Sequence, residues 1–116
     1  MNPRLVDFWV PLLYRLNLNP GVVHEITVGV AVYRDGQLAG YRVSSLDRLQ
    51  RHRVPLLPSQ ISFPANRGRL IKCLGSMSNA MSSVTLGDPL WISRDISVTN
   101  HLDSLSRHFL ADGPRP

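Results

Sequence analysis

A β-hairpin is predicted for residues 24–44, and it constrains the fold more than any other feature of this sequence. In residues 26–33 every second residue is a β-branched hydrophobic residue: Ile26, Val28, Val30 and Val32. A period of two is typical of a β-strand. The pair Asp35-Gly36 follows, and it favours a tight turn because both positions accept a positive φ. Residues 38–43 are then expected to form the returning strand.

Residues 3–17 are predicted to form an amphipathic helix. Large apolar residues recur there at spacings of three and four: Leu5, Phe8, Trp9, Leu12, Leu13 and Leu16. Such spacing places them along one face of a helix. Asn2 can cap the helix, and Pro3 suits its first position, where no N–H is needed. Pro11 removes one hydrogen bond inside the pattern, so we expect a kink or a break there.

The rest of the chain predicts short elements separated by proline and glycine. Residues 44–53 favour a short helix with Ser45 as its cap. Short strands are predicted over four segments, residues 60–63, 69–74, 83–86 and 90–99. The last two, within residues 83–99, are joined by a turn at residues 87–89. Residues 101–110 predict a helix capped by Asn100, and residues 111–116 a frayed tail.

These elements predict an α+β fold: a small antiparallel sheet of about five strands, with an N-terminal and a C-terminal helix packed on it. A length of 116 residues supports a single domain over residues 1–116 with one core. A hydrophobic fraction of 43% is ordinary for a folded domain. Many unrelated families share this order of elements, so it predicts a class and not a family.

Arg94 interrupts the pattern of the last predicted strand. It shares its parity with Leu90, Ile92, Ile96 and Val98, which are all apolar. Either a bulge or turn at residues 93–95 resets the alternation, or Arg94 points at the apolar face and needs a partner there. The turn is the favoured interpretation, because arginine is rarely buried.

Positive charge is concentrated in the middle of the chain. The formal net charge is +5, and twelve of the thirteen basic residues are arginine. The basic segment over residues 45–72, together with Arg42, holds seven basic residues and one aspartate. The basic residues are Arg42, Arg48, Arg51, Arg53, Arg67, Arg69 and Lys72. Guanidinium groups match phosphate and carboxylate with two parallel donors, so these residues predict an anion-binding surface; the alternative is a solvated basic face.

Nucleic acid or an acidic protein is therefore the expected partner. Tyr41 and Phe63 are the only aromatic residues near the basic segment. Binding of single strands relies on bases stacking on aromatic side chains. The sequence therefore favours recognition of a duplex through its backbone.

Enzymatic activity is not predicted, and neither is a cofactor or a metal. The sequence contains no phosphate-binding loop, nucleophile elbow or pair of neighbouring cysteines. His101, Asp103 and His108 could form a catalytic or metal-binding set, but polar residues on a terminal helix more often form its solvated face. The single Cys73 excludes an internal disulfide and suggests a reducing compartment, so an intracellular location, cytoplasmic or nuclear, is expected.

A second hypothesis is a homo-oligomeric assembly or scaffold subunit. Phe8, Trp9 and Trp91 are candidate interface anchors, although a short chain can spare few large residues from its core, which favours the core for Phe8 and Trp9. No apolar run is long enough for a transmembrane segment. The preference for Leu, Ser, Arg and Pro suggests an overprinted reading frame, and with it a viral accessory protein that binds RNA or a host factor; the alternative is a chance bias in a short chain.

Overall fold

A computed structural model describes residues 7–19, 22–52, 54, 63–66 and 84–111. Its five strands are β1 (Asp7–Asn19), β2 (Val22–Arg34), β3 (Gln37–Val43), β4 (Val84–Leu86) and β5 (Leu90–Ile92). Its helices are α1 (Leu46–Arg51) and α2 (Val98–Leu105), and α2 continues into a π-helical segment, Ser106–Leu110. The predicted α+β class with an antiparallel sheet is confirmed.

The sheet is four strands wide, in the order β3-β2-β1-β4. It is narrower than predicted because β4 and β5 share one edge of β1: β4 pairs with residues 12–14 and β5 with residues 7–9. The predicted strand over residues 69–74 lies outside the described residues, as do residues 60–62. Residues 63–66 approach the edge of the sheet that β3 forms, where Leu38 donates its N–H to the Ala65 carbonyl.

The predicted N-terminal helix is wrong over its described part, since residues 7–17 belong to the long strand β1. Both faces of this strand are covered. Phe8 and Val10 lie in the core on one face, and Trp9 lies in the core on the other. A strand buried on both faces has a nearly continuous apolar sequence, and such a run also satisfies helical spacing.

Pro11 lies in β1 at a place where its missing N–H costs little. Its carbonyl accepts from the Gly87 N–H on the edge that β4 and β5 share, just where β4 has ended and β5 has not yet begun. The N–H and C=O of one residue in a strand point to the same side, so a proline here interrupts no ladder. Gly87 packs directly on the proline ring, where a Cβ would lie 2.4 Å from Pro11 Cγ.

The predicted hairpin is confirmed as β2 and β3, with Asp35 and Gly36 at φ 54° and 80°. A bulge changes which residues share a face. Leu12 pairs with Gly29 and Leu13 with Thr27, which leaves Val28 as the extra residue. Beyond it the alternation reverses, so Ile26 lies in the same apolar cluster as Phe8, whereas Val30 lies in the cluster of Trp9.

Two apolar clusters therefore sandwich the sheet. On one face Phe8 stacks on Tyr33, with ring centroids 4.9 Å apart, and α1 contributes Leu49. On the other face α2 and the π-helical segment contribute Leu102 and Leu110. Their approach is close, since a Cβ at Gly40 of β3 would lie 2.8 Å from Leu102 Cδ1. This contact places the C-terminal helix against the middle of β3.

The C-terminal helix begins earlier than predicted. Ser97, not Asn100, is its cap, and the Ser97 hydroxyl accepts from the Asn100 N–H. The predicted strand over residues 90–99 ends at Ile92 because a turn follows at Arg94 and Asp95. The turn interpretation of Arg94 thus holds, and its side chain is 40% exposed. Neither described helix has the length and apolar character needed to cross a bilayer.

Candidate functional site

An open cleft of about 490 Å³ lies between the end of β3, the start of α1 and the C-terminal helix. We call it the arginine cleft. Arg42, Val43, Ser44 and Ser45 line it on one side, and Asp103, Ser106, Arg107, Leu110 and Ala111 on the other. The two walls come from segments that are far apart in the sequence, so the cleft exists only in the folded protein.

Capping interactions build the first wall. The Ser45 hydroxyl accepts from the Arg48 N–H and so starts α1 directly after β3. The second wall is the π-helical segment that carries Arg107. Its wider turn is a rare departure from the α-helix and is often found at functional sites.

The side chains at the mouth of the cleft are mostly cationic. Arg42 and Arg107 are exposed, and Asp103 is the one carboxylate among the lining residues. Arg42 Nη2 lies 3.8 Å from Asp103 Oδ1, with both side chains about half exposed. An ion pair of that length and exposure contributes little. The Ser106 hydroxyl oxygen is buried and has no hydrogen-bond partner among the described residues, so the accessible polar groups of the cleft are mainly its two guanidinium groups.

Arg48 is not part of an exposed anion-binding surface, contrary to the prediction. The residue is 7% exposed, and its guanidinium binds the protein itself. Nη1 donates to the Thr27 carbonyl at 2.7 Å and to the Ser44 hydroxyl at 3.0 Å. Nη2 donates to the Phe109 carbonyl at 3.3 Å. Arg48 therefore joins α1, the sheet and the π-helical segment beneath the cleft.

The other predicted basic residues do not all lie on one surface. Arg42 lies in the arginine cleft, whereas Arg51 is exposed on α1 and lines neither cleft described here. Arg53, Arg67, Arg69 and Lys72 lie outside the described residues. Arg107 was missed because it is far from the basic segment in sequence. Its position on the predicted C-terminal helix was the available signal, but that signal did not say where the helix packs.

A second cleft of about 450 Å³ adjoins the first at Arg107, which lines both. We call it the aromatic cleft; its other lining residues are Trp9, Ser104, Leu105, His108 and Phe109. The Phe109 ring centroid lies 5.0 Å from that of Trp9 and 4.6 Å from that of His108. Three aromatic rings thus run from the core to the surface.

The predicted interface residues divide between core and surface. Phe8 and Trp9 are 1% and 6% exposed, so their assignment as interface anchors is corrected: each lies in the apolar cluster on one face of the sheet. Trp91 is 58% exposed and meets Phe8 edge-on, with ring centroids 5.6 Å apart. Leu90 and Ile96 are also exposed near it in sequence.

The residues of the possible catalytic or metal-binding set have separate environments. His101 is buried and not on a solvated face; its Nε2 lies 2.7 Å from the Ser93 carbonyl, which can only accept, so Nε2 donates. Asp103 faces Arg42, and His108 packs on Phe109. In the part of the chain that the structure describes, no three His, Cys, Asp or Glu side chains form a metal-binding group.

Comparison with known proteins assigns this chain to no family. No protein-family model, curated protein or solved structure matches it. Its two clefts and the side chains that line them are therefore the basis for a function.

Proposed function

We propose that this protein is a non-enzymatic binding protein that holds the phosphate backbone of a nucleic acid in the arginine cleft. The observation that carries the proposal is the placement of Arg42 and Arg107 on opposite walls of one open cleft. Guanidinium groups bind phosphate oxygens through paired, charge-assisted hydrogen bonds. The exposed Ser45 hydroxyl lies on the same wall as Arg42 and can add a neutral donor.

Electrostatics support an anionic ligand. Arg42 and Arg107 line the cleft, where Asp103 opposes them, and the buried Arg48 guanidinium lies behind one wall and donates to the lining residue Ser44. A concave surface with an excess of one charge concentrates the opposite charge. A phosphate also replaces the weak contact between Arg42 and Asp103 with shorter, stronger ones.

Replacing Arg42 and Arg107 together by glutamine tests this function. We expect the binding of short labelled RNA and DNA, followed by fluorescence anisotropy, to weaken in the double variant at every salt concentration. The slope of log K against log salt should fall by about one for each phosphate that the variant no longer neutralises. Circular dichroism should show unchanged folding, because both side chains are exposed.

A matched control removes the same charge elsewhere. Arg15→Gln with Arg51→Gln removes two exposed arginines that do not line the cleft. This pair should bind nearly as the parent does. An equal weakening in both double variants, or no binding of nucleic acid by the parent at low salt, would contradict the proposal. Binding of polyglutamate alone would assign the cleft to an acidic protein instead.

Homo-oligomeric assembly is the second candidate function, and the exposed apolar residues on and after β5 favour it. Leu90, Trp91 and Ile96 are 51%, 58% and 45% exposed, and an exposed apolar patch often marks an interface. If they form one, light scattering should give a multiple of the 13.0 kDa chain mass, and Trp91→Ser should reduce it to a single chain. A monomer at high concentration would exclude this function.

A further inference from the structure

The aromatic cleft has rings on which a nucleobase can stack, and it lies next to the arginine cleft. Its lining includes an aromatic ring from β1 and two from the π-helical segment, and Arg107 belongs to both clefts. A ligand whose phosphate contacts Arg107 therefore has an adjoining group within reach of the rings. In a nucleotide that adjoining group is a sugar with its base.

The three rings form a support that ends at the surface. Trp9 is buried and packs on Phe109, which is partly buried, with the rings tilted by 38°. His108 is exposed and meets Phe109 edge-on at 78°. Trp9 packs on Phe109, and Phe109 in turn packs on His108, so both outer rings are already held in place. A base that stacks on them therefore need not order them first.

Three consecutive residues of the π-helical segment line the aromatic cleft: Arg107, His108 and Phe109. A volume of about 450 Å³ lies within the usual range of small-ligand pockets. It is large enough for one nucleobase.

We infer that the nucleic acid bound by this protein is single-stranded, with a phosphate between Arg42 and Arg107 and the neighbouring base stacked in the aromatic cleft on His108 and Phe109. The inference rests on the proposed function. A base can enter the cleft only when it is unpaired and unstacked, which favours a single strand over a duplex. The sequence favoured a duplex because it placed only Tyr41 and Phe63 near the basic segment. The fold adds the rings of the C-terminal helix.

The test compares three probes of equal length: a single-stranded oligonucleotide, its duplex, and an abasic strand that keeps the phosphates. We expect the single strand to bind about ten-fold or more tightly than the abasic strand. His108→Ala should weaken binding of the single strand by a similar factor and leave the abasic strand unaffected. His108→Phe should restore much of the affinity, since it keeps a stacking ring.

Tyr41→Ala is the matched control, because Tyr41 is an exposed aromatic residue that lines neither cleft. It should not change the preference among the three probes. Equal affinity for all three probes, or no effect of His108→Ala, would overturn the single-strand inference and leave phosphate binding intact. The absence of binding to any probe would overturn the proposed function itself.

Discussion

Replacement of Arg48 by alanine should lower the free energy of unfolding by about 3 kcal/mol, because it removes the donor from two backbone carbonyls. The Thr27 carbonyl lies in β2 just past the point where β3 turns away into α1, and the Phe109 carbonyl lies in the π-helical segment. Arg48 reaches both, together with the Ser44 hydroxyl. In the alanine variant these acceptors lose their shared donor and a cavity opens beneath the arginine cleft.

Thermal and urea unfolding measure this effect. The melting temperature should fall by about 10 °C or more in Arg48→Ala. Arg48→Lys should lie between the parent and Arg48→Ala, because an ammonium group keeps the charge but cannot span the same acceptors as the guanidinium fork. Arg51→Ala on the exposed side of the same helix is the control, and it should change stability by about 0.5 kcal/mol or less. Equal stability of the Arg48 and Arg51 variants would contradict the structural role of Arg48.

This role also decides how nucleic-acid binding must be tested. A variant that removes Arg48 together with Arg51 and Arg53 would lose binding by unfolding, whatever the ligand. The test of Arg42 and Arg107 avoids that ambiguity, since both side chains are exposed and neither crosses between elements in the way Arg48 does.

Replacement of Asp7 by alanine should lower the free energy of unfolding by about 3 kcal/mol, because it removes a buried carboxylate from between two guanidinium groups. Asp7 is fully buried at the start of β1. Its Oδ2 accepts from Arg34 Nε at 2.7 Å, and its Oδ1 lies 3.7 Å from Arg94 Nε. Arg94 also donates to both oxygens of Asp35 in the hairpin turn. The four charges join β1, the hairpin and the turn before α2.

Urea unfolding of Asp7→Ala, Asp7→Asn and Asp95→Ala separates charge from shape. The expected loss of unfolding free energy in Asp7→Ala is small for the removal of one partner of a buried ion pair. The side chains of Arg34 and Arg94 are 29% and 40% exposed, so water can solvate them once the carboxylate is gone. Asp7→Asn keeps the shape and should lose part of the stability. Asp95→Ala removes an exposed carboxylate from the same turn and should have little effect. If Asp7→Ala unfolds at the same urea concentration as Asp95→Ala, the ionic cluster does not stabilise the fold.

Part of the fold follows from local chemistry. The hairpin was predictable because alternation and the Asp35-Gly36 turn are decided within a few residues, and both glycine and aspartate accept the observed positive φ. The short helix α1 was predictable for the same reason, since the Ser45 cap and the helix it starts are adjacent. The bulge at Val28 was not, because it depends on the register with β1.

Of the two arginines that line the arginine cleft, one was predictable from the sequence. Arg42 belongs to the concentration of positive charge that the sequence displays, but Arg107 lies in a stretch with no such excess. Arg48 belongs to the same concentration and is buried. Charge along the chain does not distinguish these cases, because exposure depends on which elements pack against each residue.

The sequence by itself determined the α+β class, the β2–β3 hairpin and the start of α1, because each rests on interactions between residues that are close along the chain. The tertiary structure alone decided that β1 is a strand, since an apolar run covered on both faces fits a strand and a helix equally well. It also decided that Arg48 holds the fold together while Arg42 and Arg107 face one cleft. Burial and charge proximity are set by packing between distant segments, and no local pattern encodes them.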